Sequence, residues 1–195
     1  MVLLRHSIAI IAIILTFVGY VPYDRDIIKG STKPHIFSWF IWGLITLIVF
    51  ALQVYGGAGI ASLVTLCAAL MCIGVIFLGL KHKSISDITK IDVVFLCGAL
   101  VSIAVWIFAK QPVLSALFAT TIDILAFVPT IRKSWHKPYT ETLSMNLLTT
   151  FRFGLVLISL DAYSLLTLLY PVTWLIGNGL FALMLIYRRR IVGKK

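Results

Sequence analysis

The sequence predicts an all-α, polytopic membrane protein with seven transmembrane helices, arranged as two parallel triple-helix-bundle repeats joined by an inverting fourth helix. Three observations predict this fold: an apolar composition, an alternation of basic and neutral loops, and an internal repeat. Of the 195 residues, 61% are hydrophobic and 12% are charged, whereas a soluble domain usually carries about 25% charged residues. Because a spanning helix needs roughly 20 apolar residues, the chain has room for about seven.

Charged, proline and glycine residues divide the chain into seven apolar runs. Gly56 and Gly57 separate the second run from the third, and Pro112 suits the first helical turn of the fifth, where its missing N–H costs nothing. The predicted helices are Ser7–Pro22, Phe37–Val54, Ala58–Leu80, Asp92–Ala109, Val113–Ile131, Leu143–Leu160 and Tyr163–Tyr187. Residues 7–80 then form the first bundle, 92–109 the linker helix, 113–187 the second bundle and 188–195 a basic cytoplasmic tail.

Basic loops alternate with short neutral turns, and this alternation predicts the orientation in the membrane. The loops after helices one, three and five carry Arg25, Lys29, Lys33, Lys81, Lys83, Lys90, Arg132, Lys133 and Lys137, and the tail adds Arg188, Arg189, Arg190, Lys194 and Lys195. The other side has only Arg5 and Lys110. By the positive-inside rule the N-terminus lies outside and the C-terminus in the cytoplasm. Short loops and the lack of any Asn-x-Ser/Thr sequence favour a bacterial inner (cell) membrane.

The internal repeat lies in two stretches, residues 20–39 and 127–145, where an apolar run meets Val-Pro and continues into a basic loop. Three residue pairs keep the spacing: Pro22 and Pro129 are 107 apart, Arg25 and Arg132 are 107 apart, and Ser38 and Ser144 are 106 apart. A three-helix repeat would enter the membrane upside down the second time, so the fourth helix restores its direction. Parallel repeats of this kind occur in one class of transporters.

The paired Val-Pro loops resemble the PQ-loop superfamily, whose best-known members are the SWEET sugar transporters. The glutamine of the motif is replaced by Tyr23 and Thr130. The resemblance implies that Pro22 and Pro129 are hinges that open and close two gates; the alternative is that each proline simply ends or kinks its helix. It also implies an asparagine on the third helix of each bundle, which Asn178 matches and Met71 or Cys72 does not, and a tryptophan near the solute. We assign Trp42 to that last position.

Two ionisable side chains fall inside predicted spans, Asp123 and Arg152. Such residues cost about 2.5–3.5 kcal/mol each on insertion scales and usually face a cavity or a partner. Counted from the predicted inner helix ends, they and Asn178 lie at about 12–14 Å, close to the membrane midplane. Two interpretations stay open: a structural ion pair between Asp123 and Arg152 with Asn178 beside it, or a trio that lines a central solute site.

Other side chains are candidates for the walls of this site. Trp174 lies four residues before Asn178, on the same helix face, and Asn146 near the inner end of helix six lines a vestibule or bonds a neighbouring carbonyl. The equivalent positions in the first bundle are Thr16, Thr46 and Met71 or Cys72, none of which is charged. The second bundle is therefore expected to supply the polar recognition, and the first mostly apolar walls. Trp39, Trp106 and most tyrosines are expected in an aromatic belt at the interface.

The sequence therefore predicts a small-solute transporter that works by alternating access, for a sugar or another small polar or amphipathic metabolite. The alternative is a non-transporting receptor or trafficking factor of the same fold. An Asp123–Arg152 ion pair would favour uniport, and its absence would favour proton coupling. The expected partners are the solute and the lipid bilayer. The sequence leaves open whether the protein forms a homo-oligomer.

Several other classes of function are not expected. The basic residues lie between apolar spans instead of on one face, which argues against nucleic acid. No GxSxG, HExxH or Walker-type motif predicts an enzyme. Cys67, Cys72 and Cys97 lie in apolar runs and predict no disulfide, and the sequence predicts no metal and no cofactor.

Overall fold

Helices make up nearly all of the described chain. The computed structural model describes residues 2–30, 34–82 and 88–192, and no strand occurs among them. The helices are α1 Val2–Ile28, α2 Ile36–Tyr55, α3 Ser62–Lys81, α4 Lys90–Ile107, α5 Pro112–His136, α6 Leu143–Ser159 and α7 Leu165–Val192, with short 3-10 turns at Gly59–Ala61 and Pro138–Thr140. Six of these helices, counting α3 with its preceding turn, are long and apolar enough to cross a membrane, and α6 is a shorter apolar helix.

Three helices extend beyond their predicted ends at the side of the basic loops. The helix α1 continues through Pro22 to Ile28, α5 through position 129 to His136, and α7 to Val192. The prediction that α1 ends at Pro22 is wrong because an internal proline removes one backbone hydrogen bond while those on either side remain. The predicted tail is also helical over Arg188–Arg190; Lys33, Lys83, Lys194 and Lys195 lie outside the described residues.

The helices pack in two similar groups of three. The helix α3 packs against both α1 and α2, and α7 packs against both α5 and α6. Between the groups, α1 packs against α6 and α2 against α5, while α4 packs against α5 and α2. Many large apolar side chains on the outside of this body are exposed, as expected for a surface that faces lipid.

The two ends of the helical body differ. We call the end formed by residues 23–30, 34–38, 88–92 and 135–145 the basic end, because the described basic loops and the C-terminal part of α7 lie there. Arg188 Nε donates a hydrogen bond to the Trp135 carbonyl at 2.8 Å, and Arg189 Nε donates to the Pro138 carbonyl at 3.0 Å. These bonds hold the C-terminal part of α7, which includes Arg188 and Arg189 of the predicted tail, against the end of α5 and the turn that follows it.

We call the other end the turn end, and there the two groups of helices touch. The Asp161 N–H donates to the Ala58 carbonyl at 3.4 Å, and a Cβ added at Gly56 would lie 2.9 Å from Leu166 Cβ. Inside this end, Thr65 Oγ1 donates to Gln53 Oε1 at 2.7 Å. The glycine at position 56 thus allows the turn after α2 to approach the start of α7 more closely than a side chain would permit. These contacts close the turn end.

The linker helix α4 is joined to α5 by a reciprocal serine pair. Ser102 Oγ donates to the Ser115 carbonyl at 2.8 Å, and Ser115 Oγ donates to the Ser102 carbonyl at 2.7 Å. Both serines are fully buried. Next to them, Ile122 packs directly over Gly98. This contact gives α4 a fixed position on the second group of helices.

We expect Ser102→Ala or Ser115→Ala to lower the free energy of unfolding by about 0.6–1.7 kcal/mol, the range for hydrogen bonds between membrane helices. Because the two hydroxyls serve one contact, the double variant should lose less than the two single losses added together. Reversible unfolding in mixed micelles measures these values. Ser144→Ala, at an exposed position, is the control, and unchanged stability in all variants would contradict the assignment.

Candidate functional site

A cavity of about 770 Å³ runs from the basic end into the middle of the helical body. At the basic end its lining includes Tyr23, His35 and Thr142, and at its inner limit Thr46 and Tyr170. Among the described residues, none of the lining comes from the turns at 56–62 or 160–166. The cavity therefore reaches the basic end and stops before the closed turn end.

All six residues predicted to bind a solute line this one cavity. They are Asp123, Arg152, Asn178, Trp42, Trp174 and Asn146. Pro22 also lines it, whereas the side chain at position 129 lies outside the described part of the chain. The structure thus brings together side chains from α2, α5, α6 and α7 that the sequence had selected separately. Their role in solute binding stays a prediction.

Asp123 on α5 is buried, with 4% of its surface exposed. Trp174 Nε1 on α7 donates a hydrogen bond to Asp123 Oδ2 at 2.8 Å. One turn further along α7, Asn178 Nδ2 donates to the Trp174 carbonyl at 2.9 Å. The Trp174 ring also packs edge-on against Phe127, with centroids 5.3 Å apart. These contacts fix the carboxylate and the indole in one wall of the cavity.

Arg152 on α6 is also buried, with 8% of its surface exposed. Its Nη1 donates to Thr16 Oγ1 on α1 at 3.2 Å, and the Thr16 hydroxyl itself donates to the Ala12 carbonyl at 2.9 Å. The guanidinium carbon lies 4.7 Å from the centre of the Phe153 ring, a cation–π distance. Its Nε is buried and has no hydrogen-bond partner. Arg152 thus connects the second group of helices to the first.

The two opposite charges are not paired with each other. The described ion pairs shorter than 4.0 Å include Arg25–Asp26 and His35–Asp92, and none of those described joins Asp123 to Arg152. Asp123 on α5 accepts its hydrogen bond from Trp174 on α7, whereas Arg152 on α6 donates its hydrogen bond to Thr16 on α1. The structural ion pair that the sequence left open is therefore not present in this structure, and the charges stand on separate walls of the cavity.

An aromatic cluster that the sequence analysis missed lines the cavity nearer the basic end. Trp39 packs against Tyr20, Tyr23 and Trp42 with ring centroids 6.0, 5.2 and 5.3 Å apart. The Trp39 Nε1 donates to the Tyr23 hydroxyl at 3.3 Å. The expectation that Trp39 lies in an interfacial belt is wrong, since only 8% of it is exposed.

The spacing of Tyr20 and Tyr23 could have revealed this cluster, because residues three apart share a helix face. A helix that ends at Pro22 does not include Tyr23, so the predicted boundary hides that the two tyrosines share one face. Trp106, the other tryptophan assigned to the belt, lies outside the cavity lining and packs against Tyr55 at 6.2 Å.

Acidic side chains line the entrance of the cavity, although this end of the protein carries the basic loops. Asp26, Asp92 and Glu141 all contribute to the lining. Asp92 Oδ2 also accepts from the Thr89 N–H and hydroxyl as part of a capping box at the start of α4, and lies 3.8 Å from His35 Nε2. The entrance is therefore lined by polar residues, and the aromatic and buried charged residues begin further in.

The chain has no match among protein-family models, curated proteins or solved structures. The class of the protein therefore rests on its own geometry: an apolar helical body of membrane-spanning length with a cavity that reaches one end. Small-molecule sites typically enclose about 300–1,000 Å³ and combine apolar walls with a few polar groups. The cavity has both properties, so the structure is that of a helical membrane protein with room for a small molecule.

Proposed function

We propose that this protein is a small-solute transporter that works by alternating access. The observation that carries the proposal is the cavity, which has a buried carboxylate and a buried guanidinium at mid-depth and is closed only at the turn end. Ionisable groups inside a membrane are expensive and usually serve a solute or ion pathway. A solute entering from the basic end would meet these groups before any exit.

The helix packing supports a transporter built from two parallel repeats. In each group of three helices the third lies between the first two, and the contact of α1 with α6 has its counterpart in the contact of α2 with α5. Two three-helix repeats related by an axis along the membrane normal would pack in this way. We propose that α1–α3 and α5–α7 are these repeats, that α4 is the inverting helix, and that the fold is PQ-loop-like.

The orientation follows from the basic loops. By the positive-inside rule, we propose that the basic end faces the cytoplasm, in a bacterial inner membrane, with the N-terminus outside. The cavity then opens to the cytoplasm and the turn end faces outward. Transport would require the turn end to open while the aromatic cluster around Trp39 closes the inner side.

The alternative of a non-transporting receptor or trafficking factor predicts a sealed polar layer without a cavity. The open cavity and the separation of Asp123 from Arg152 favour transport instead. The same separation favours proton coupling over uniport, because a carboxylate locked in an ion pair would be a poor proton carrier. Asp123 is the residue to which we assign that role.

Uptake into proteoliposomes tests the proposal. We expect the wild type to take up at least one member of a panel of radiolabelled sugars, amino acids and carboxylates, and to accumulate it when a pH gradient is imposed. Asp123→Asn should no longer accumulate the solute under the pH gradient, since its amide cannot carry the proton. Asn178→Ala should reduce uptake. Cys97→Ser, at an exposed position outside the cavity lining, is the control.

Two results would count against the proposal. Absence of uptake for the whole panel, with folded protein in the vesicles, would favour the receptor alternative. Uptake that is the same in wild type, Asp123→Asn and Asn178→Ala would keep the transporter but remove the site assigned to these residues.

A further inference from the structure

Arg152 has hydrogen-bonding capacity that the chain does not use. A guanidinium presents five N–H donors, and the structure gives one hydrogen bond, from Nη1 to Thr16. Its Nε is buried without a partner although the residue lines the cavity. A buried donor left unpaired costs free energy, and more so when the group is charged. The site is therefore incomplete without a further acceptor.

The missing acceptor should be anionic. Among the described residues no carboxylate lies within 4.0 Å of Arg152. Other ionisable side chains in the inner part of the cavity lining include the phenols of Tyr20 and Tyr170 and the thiol of Cys72. Phenols and thiols do not balance a buried positive charge while they are protonated. Asp123 does not balance it either, because it is held by Trp174 on another wall.

We propose, on the premise that the cavity carries the transported solute, that this solute bears a carboxylate group and that Arg152 binds it. Arginine binds carboxylates through two parallel hydrogen bonds, which gives both affinity and orientation. The neighbouring walls are aromatic, with Phe153, Trp42 and Tyr170 all lining the cavity. The solute class is thus a small organic acid with an apolar or aromatic body.

The position of Arg152 connects binding to movement between the two groups of helices. Its bond to Thr16 crosses from α6 to α1, which is one of the contacts between the groups. A carboxylate bound at Arg152 either replaces the hydrogen bond to Thr16 or adds to it. Its binding free energy would therefore differ between conformations in which the two groups of helices have moved relative to each other. A ligand shifts a conformational equilibrium only through such differential interaction.

The test compares three probes that share a phenyl ring and differ in charge: 3-phenylpropionate, its neutral amide 3-phenylpropanamide, and phenethylamine. Binding to the purified full-length protein in nanodiscs is measured by calorimetry. We expect the carboxylate to bind about ten- to a hundredfold more tightly than the amide, as a charge-assisted hydrogen bond would give. Arg152→Gln should remove this preference.

Arg152→Lys guards against a folding defect in Arg152→Gln, because it retains the charge. It should keep the preference for the carboxylate but weaken it several-fold, since an ammonium group cannot form the two-pronged contact. Equal binding of carboxylate and amide, a preference that survives in Arg152→Gln, or tightest binding of phenethylamine would each overturn the inference. Failure of all three probes to bind would overturn it as well.

The binding and uptake experiments together distinguish an error in the carboxylate site from an error in the proposed transport function. Carboxylate binding that depends on Arg152, without uptake into vesicles, would refute the transporter and leave the carboxylate site in place. Uptake of a neutral sugar that is unaffected in Arg152→Gln would refute the carboxylate site and leave the transporter.

Discussion

A disulfide formed in the double variant Gly57→Cys, Ala162→Cys is expected to abolish uptake, and reduction is expected to restore it. Gly57 lies in the turn between α2 and α3, and Ala162 in the turn between α6 and α7. A Cβ built at position 57 would lie 3.4 Å from Ala162 Cβ, close to the range of about 3.5–4.5 Å found in disulfides. The bridge would join the two groups of helices at the turn end.

The effect should be complete because alternating access requires this end to open. The bridge would hold the state seen in the structure, with the cavity open at the basic end and closed at the turn end. Gly57 has a φ of +79°, so a cysteine there is strained by roughly 1–2 kcal/mol, which a folded protein can tolerate. The experiment uses a background in which Cys67, Cys72 and Cys97 are replaced by alanine.

The two single variants are the matched controls, because each carries the same local change without the bridge. Both should transport under oxidising and reducing conditions, and the double variant should transport only when reduced. Full cross-linking with unchanged uptake would show that the turn end does not open during transport. Slow or absent cross-linking would contradict the close approach of the two turns.

Trp174→Phe is expected to lower the free energy of unfolding by about 1.5–3 kcal/mol, the range for a hydrogen bond to a charged group. Phenylalanine keeps most of the ring packing against Phe127 but removes the N–H that donates to Asp123. The buried carboxylate would then lose its indole donor in a wall of the cavity. We also expect uptake to fall at least tenfold, since Asp123 would no longer be held in place.

A double-mutant cycle separates the hydrogen bond from the ring. In an Asp123→Asn background the acceptor is a neutral amide, so Trp174→Phe should cost clearly less than in the wild type. Trp106→Phe is the matched control, because this tryptophan lies outside the cavity lining. Equal losses for Trp174→Phe in both backgrounds would mean that the Trp174–Asp123 bond does not stabilise the protein.

The helices were predictable because long apolar runs allow little else in a membrane. Their all-helical character and approximate positions follow from composition, although the ends of α1, α5 and α7 do not. Pro22 was misread as a helix end because sequence shows the missing donor but not the neighbouring bonds that keep the helix intact. The same boundary separated Tyr20 from Tyr23, and both of these tyrosines pack directly against Trp39.

The candidate site was predictable as a set of residue types. Asp123, Arg152 and Asn178 stand out because charged and amide side chains are rare in apolar helices, and their depth can be counted along each helix. The depth of these residues does not show which of them are in contact. Depth gives the position of a side chain along the helix axis, but not the direction in which the helix presents it. Equal height would allow an ion pair between Asp123 and Arg152, but each side chain is instead bonded to another helix, Asp123 to α7 and Arg152 to α1.

Residue types and their order are enough to show that this chain is apolar and helical, and which few charged and amide side chains fall within its apolar helices. These properties depend on residue type and on position along a helix. The packed helices were needed to show that Asp123 and Arg152 are not paired, that Trp174 and Thr16 are their partners, and that both line one cavity. Those outcomes depend on how helices rotate and pack against one another, which is set by many distant contacts together.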